Sequence, residues 1–204
     1  MGSPVGEEGR VNDETQHEVE LTRGFWLGET EVTQRQWEAV MGSNPSHFRG
    51  ADLPVEQVSW DDVQGYLRRA NEGASGTYFR LPTEAEREYA ARAGSTSARH
   101  GPVGEVAWYR DNSGERTHPV GQRAANAWGL RDMLGNVSEW CSDWYGDYPA
   151  GRAVDPTGPA AGSRRVFRGG AWFDDAQVAR ASFRGADVPS TRGNYLGFRL
   201  ARGQ

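Results

Sequence analysis

The sequence predicts an α+β domain, with helices early and irregular β structure late. Three observations carry this. Helix start signals recur three times before residue 94. After Gly94 they stop, and Gly, Trp, Asp, Asn and Arg dominate. Only 36% of the 204 residues are hydrophobic, yet there are 8 Trp, 7 Tyr, 7 Phe and 27 Gly. The core must therefore be aromatic, with much of the chain in turns. This length supports one good core.

Residues 1–16, opening MGSPVGEEGR, are polar and acidic. They are expected to be a flexible N-terminus, leaving 17–204 as a single domain. From His17 to Trp26 polar and apolar residues alternate, which predicts one strand. Thr33-Gln-Arg-Gln36 is a capping box, with Trp37 and Val40 on one helix face. Ser59 places a capping hydroxyl before Asp61 and Asp62, acids that suit a helix N-terminus. Val63, Tyr66, Leu67 and Ala70 then follow at helical spacing. Thr83-Glu-Ala-Glu86 is a second capping box, whose helix should turn Ala85 and Tyr89 inward and end near Gly94.

Composition excludes several classes. One cysteine rules out an intrachain disulfide framework and any zinc site built on several thiolates. Net charge of −5 argues against a nucleic-acid partner. No stretch has the apolar length to cross a bilayer, and no apolar run opens the chain. Together with the free thiol, this points to the cytoplasm. Surface display stays open if a signal or anchor lies outside this sequence. Every basic residue is Arg, whose five donors can clamp several carbonyls in a loop-rich fold.

Several phrases occur in order: Gly28-Glu-Thr-Glu-Val-Thr33, Pro54-Val-Glu-Gln-Val-Ser-Trp60, Arg80-Leu-Pro-Thr-Glu-Ala-Glu86, Gly129-Leu-Arg-Asp-Met-Leu-Gly-Asn-Val-Ser-Glu-Trp140, Arg168-Gly-Gly-Ala-Trp172 and Leu196-Gly-Phe-Arg199. This set resembles the formylglycine-generating-enzyme (sulfatase-modifying-factor) family over roughly residues 17 to 202. The resemblance implies a C-type-lectin-like fold, low in regular structure. Trp128, Trp140, Trp144 and Trp172 are then expected in the core, and a monomer is the expected state.

The resemblance also implies a copper-binding thiol pair just before Leu196-Gly-Phe-Arg199. This sequence departs there, since Ala179 to Tyr195 hold no cysteine. The single thiol, Cys141, cannot form the two-thiolate site that Cu(I) prefers. No copper and no enzymatic activity are expected. Sulfoxide-forming relatives use an iron site on clustered histidines. Here His17, His47, His100 and His118 are scattered. Family members also bind structural Ca²⁺ near the Gly-Asn-Val-x-Glu-Trp motif. The matching positions are Asp132 and Glu139 by side chain, with Gly135 and Val137 by carbonyl. The alternative is that Asp132 caps the turn while Glu139 pairs with a core Arg.

The segment of about 172–199 has a fixed-looking skeleton that includes Trp172, Arg180, Arg184 and Arg199. Between these stand short blocks: Phe173, Asp174 and Asp175; Val178; Phe183; Gly185, Ala186, Asp187 and Val188; Thr191; and Gly193, Asn194 and Tyr195. The layout resembles the variable region of diversity-generating-retroelement variable proteins, which rewrite adenines of template AAC codons. Every block residue is reachable from AAC by changing its adenines. Chance alone gives that agreement about one time in twenty at average residue usage. The resemblance implies a ligand-binding surface, rich in rigid aromatics and adaptable polar groups, on a scaffold held by its arginines. Its partner would be an unidentified protein or cell-surface target.

Overall fold

Each of the three helix signals is answered by a helix in the computed structural model, which describes residues 1–76 and 78–203. In chain order the elements are β1 Val19–Glu20, β2 Phe25–Leu27, α1 Gln34–Met41, α2 Trp60–Ala70, β3 Phe79–Arg80, α3 Glu84–Arg92, α4 Val103–Val106 and β4 Ala107–Trp108. The second half adds β5 Leu134–Gly135, β6 Ser138–Trp144, β7 Ala153–Val154, β8 Arg165–Arg168, β9 Arg184–Asp187, β10 Leu196–Gly197 and β11 Ala201–Gly203. Thr33, Ser59 and Thr83 all close reciprocal capping boxes. Asp62 takes the Glu/Gln role in the middle one, because its short carboxylate still reaches the Ser59 N–H at 2.9 Å. Among the described residues no helix is long and apolar enough to cross a membrane.

The central sheet runs β10-β6-β8-β9, with β10 parallel to β6 and the other pairings antiparallel. A second sheet, β2-β11-β3, joins the C-terminal strand to two early ones. Gly203 pairs with Phe25 in it, which ties the last strand of the chain to one of the first. The main core lies between α1, α2 and the central sheet. Trp37 stacks on Tyr66 at 5.3 Å, and Phe198 sets its edge against both. Trp140 is fully buried and donates its indole N–H to the Val58 carbonyl at 3.0 Å. Truncating such a ring costs about 3–5 kcal/mol.

Four expectations are corrected. Residues 1–16 are docked rather than loose. Ser3 bridges to Thr15, the Gly2 N–H reaches Glu88 at 2.9 Å, and Glu14 is fully buried against Arg180. Acidic composition suggested mobility, but the acids answer buried arginines. The strand expected over 17–26 breaks into β1 and β2, because β1 pairs with β7 and β2 with β11 in different sheets. Tyr89 and Trp128 are 52% and 48% exposed rather than core residues, and meet edge to face at 4.9 Å on the surface. Ala85 does face inward, with Ala90 and Ala91, but the charged Glu84, Arg87 and Glu88 are buried beside them.

Candidate functional site

Four arginines, Arg87, Arg168, Arg180 and Arg199, are each no more than 1% exposed. A buried guanidinium must be paired and its donors satisfied. Arg199 donates to Glu139 at 2.9 and 3.0 Å, and to the carbonyls of Gly28, Glu29 and Arg131. Arg184 takes both oxygens of Glu84 at 2.8 Å and lies over the Tyr148 ring at 4.0 Å. Arg180 holds Glu7, Glu14 and the Gly9 carbonyl. These pairs anchor the C-terminal segment to α3, to β6 and to the N-terminal segment.

On this frame the segment 172–199 forms a surface. Trp172 is half-buried and donates its indole N–H to the Asn194 carbonyl at 3.0 Å. Arg110 donates to the Phe173 carbonyl at 2.9 Å and pairs with Asp175. The Gln57 N–H reaches the Gly193 carbonyl at 2.9 Å. Residues outside the blocks thus hold the loop by its main chain. Phe173 meets Tyr195 edge to face at 5.2 Å, and Asp187 accepts from Thr191 at 2.9 Å. Val188 is exposed, and Ala186 pairs with Val166 across the sheet. A pocket of about 410 Å³ opens here, with Trp172, Phe173 and Asn194 on one side. His47, Phe48, Arg110, Ser113 and Glu115 form the other side.

Sequence reasoning missed that opposite side. Its residues all lie upstream, between His47 and Glu115, and nothing local marks them. Of the thirteen block residues only Phe173 and Asn194 line this pocket; Val178, for one, packs near Gly170 instead. Gly185 is a confined position. A Cβ there would stand 2.2 Å from the Phe167 ring on β8. Gly193 is buried beneath Tyr195, whose ring lies 2.4 Å from where a Cβ would stand. A larger cleft, about 710 Å³, lies elsewhere, between α2, β3 and the loop at Asp155.

The motif around Asn136 is built tightly. Gly135 has φ +77, and a Cβ would stand 2.2 Å from the Trp108 carbonyl oxygen. Glu139, offered above as a calcium ligand, is instead enclosed by Arg87 and Arg199, which donate to both its oxygens. Burial raises its pKa, but the two guanidiniums outweigh this and hold it below the usual value. Two guanidiniums thus occupy both of its oxygens, as in the alternative in which Glu139 pairs with a core Arg. Val137 is buried in the interior. Asp132 accepts from the Gly121 N–H at 2.5 Å, capping that turn, while its Oδ1 is buried without a partner. Glu31 Oε2 is likewise unpartnered, and burial followed by Asp132 pushes the Glu31 carboxyl up. Among the described residues no group of three His, Cys, Asp or Glu is placed to hold a metal ion.

Cys141 is fully buried, and burial, then Asp143 and Glu84, push its thiol pKa well up. A reactive cysteine needs the opposite surroundings. His118 is stacked on Trp108 at 3.6 Å with Arg123 over the same indole, which makes it a structural side chain.

The sulfatase-modifying factor enzyme 1-like domain matches residues 1–204. The chain is 34% identical to the chaperone protein LppX of Paenibacillus barcinonensis, covering 87% of this chain and 80% of that protein. It is 36% identical to the formylglycine-generating enzyme of Streptomyces coelicolor, covering 87% of this chain but only 60% of that enzyme's length. Among solved structures, Treponema denticola variable protein 1 superposes with a TM-score of 0.87 at 33% identity, over 98% of this chain and 92% of that one. The chain belongs to the sulfatase-modifying factor enzyme 1-like family and has its C-type-lectin-like α+β fold.

Proposed function

We propose that this is a ligand-binding protein whose C-terminal surface is hypervariable, rewritten by a diversity-generating retroelement, with a protein or other cell-surface molecule as target. The observation that carries the reading is the division of labour within 172–199. Residues outside the blocks bind the loop's main chain: the Trp172 indole on the Asn194 carbonyl, Arg110 on the Phe173 carbonyl and the Gln57 main-chain N–H on the Gly193 carbonyl. A main-chain bond survives a change of side chain, which is what a diversified loop needs. The likeness to Treponema denticola variable protein 1, along nearly the whole chain, supports the same reading.

The test is genomic. The flanking DNA should hold a near-identical repeat of the codons for 172–199, differing at adenines, beside a reverse transcriptase gene. Absence of both overturns the diversification. An oxidase like the Streptomyces relative is the competing reading. It would need tight copper binding and oxidation of a cysteine peptide, with one buried thiol in the chain to support them.

A further inference from the structure

A second pocket, of about 270 Å³, lies at the C-terminal end of β6. Trp144, Tyr148, Pro149, Pro156 and Pro159 give it apolar walls. Asp143 also lines it, although only 3% of that residue is exposed. Asp143 Oδ2 accepts from the Glu84 N–H and from the Ser142 hydroxyl, each at 2.9 Å. Oδ1 has no hydrogen-bond partner among the described residues. That oxygen lies beside Gly158, another residue of the pocket wall: a Cβ there would stand 3.5 Å from it. Gly158 has φ +72, and the same Cβ would stand 2.7 Å from the Trp144 carbonyl oxygen. Only glycine fits there, so no side chain of residue 158 stands before Oδ1.

The neighbouring cations are engaged elsewhere. Arg184 on β9 grips both oxygens of Glu84, and Arg168 on β8 pairs with Glu88. Arg165, also on β8, donates to the Ser142 carbonyl and lies over the Trp60 and Trp144 rings. The Met1 ammonium donates to the His17 carbonyl at 3.0 Å. His17 and the exposed Asp147 complete the charged and titratable groups on the wall. Burial, then the charges of Glu84 and Glu86 on α3, raise the Asp143 pKa to about 7. A buried carboxyl without a counter-ion is costly, and a ligand cation offsets that cost. Apolar walls around one such group suit a ligand with an apolar body and a cationic head. We propose that this pocket binds a small organic ammonium ion, its body against the prolines and Tyr148 and its ammonium on Asp143 Oδ1. None of the block residues lines the pocket. Its ligand would therefore stay the same while the surface of 172–199 changes, and the site stands however that surface is read.

Ligand-observed NMR titration of the full chain with three probes of one shape tests it: benzylamine, benzyl alcohol and phenylacetate. At pH 8 benzylamine should bind, and the neutral and anionic probes should bind about tenfold more weakly or worse. Benzylamine affinity should rise between pH 6 and pH 8, because the ammonium pairs with the ionised carboxyl. Asp143→Asn should abolish the rise and lower the affinity at pH 8 about tenfold. Asn matches the protonated acid in shape, and its melting temperature at pH 6 checks the fold. His17→Gln should keep the rise, which assigns it to Asp143. Asp111→Asn, on an exposed carboxylate elsewhere, should change nothing. Benzyl alcohol binding as tightly as benzylamine would overturn the ammonium ligand. No binding of benzylamine, or a rise with pH that survives Asp143→Asn, would overturn the site. Neither outcome touches the reading of 172–199 as a ligand surface.

Discussion

Arg180 grips both carboxylate oxygens of Glu14 at 2.7 Å, across 166 residues of sequence. Both side chains are buried. The N-terminal segment and the C-terminal surface are therefore one unit of stability. Four predictions follow from this and related contacts.

Replacing Arg180 with Ala leaves Glu14 and Glu7 buried without a counter-ion. The expected cost is about 3–5 kcal/mol. Residues 1–16 should become protease-sensitive well below the melting temperature. Limited proteolysis with mass mapping checks this, and continued protection would show that other contacts hold the segment. Burial opposes Glu14 ionisation, but the bonds from Arg180 and Ser3 outweigh it and hold its pKa below 4.5. The contribution of the pair is thus complete above that value. It is lost as pH falls through the folded value.

Glu139→Gln removes the one carboxylate shared by Arg87 and Arg199. A loss of about 3–5 kcal/mol in urea unfolding is expected. The loss should be the same with Ca²⁺ present and with chelator, because the partners of Glu139 are guanidiniums. A loss confined to the Ca²⁺-loaded protein would restore Glu139 as a metal ligand.

Glu56 is fully buried, with Oε1 accepting the Phe48 N–H at 2.8 Å and Oε2 unpartnered. Burial raises its pKa from 4.5 to about 7. A raised folded value means that stability is greatest below 4.5 and declines as pH rises towards 7. Glu56→Gln should flatten that part of the profile and raise the melting temperature at pH 8. Thermal scans in a buffer series would show it, and parallel profiles for the two proteins would contradict it. Asp143, also pushed to about 7, chiefly by burial, contributes a similar slope that the variant retains.

Gly185→Ala must move the Phe167 ring, which also packs edge-on against Trp140 at 5.8 Å. A loss of about 1–3 kcal/mol is expected. In a Phe167→Ala background the same change should cost much less. A double-mutant cycle measures this coupling, and additive losses would mean the ring is not the obstacle.

Local chemistry was legible in the sequence. Each capping box is complete within three residues, so Thr33, Ser59 and Thr83 announce their helices without outside help. The aromatic core could be foreseen from Trp37, Tyr66 and Trp140, although not which tryptophan would be exposed. Trp128 stands between Ala127 and Gly129 and meets Tyr89 on the surface, a contact no periodicity encodes. The charged inward side of α3 reads as a solvated face until its partners are known. Glu88 needs Arg168, which is 80 residues away. The site divides in the same way. Its C-terminal half was marked out in the sequence by the expected skeleton of Trp172, Arg180, Arg184 and Arg199 and the short blocks between them. His47, Phe48 and Arg110 reach it only through the closure of distant loops.

The Trp172 indole holds the 193–195 turn through the carbonyl of residue 194. Every amino acid carries that carbonyl, so the clip is blind to what stands there. Successive sequences at 194 would then inherit one folded form, and a population of such chains could explore chemistry at this surface without having to rediscover how to fold.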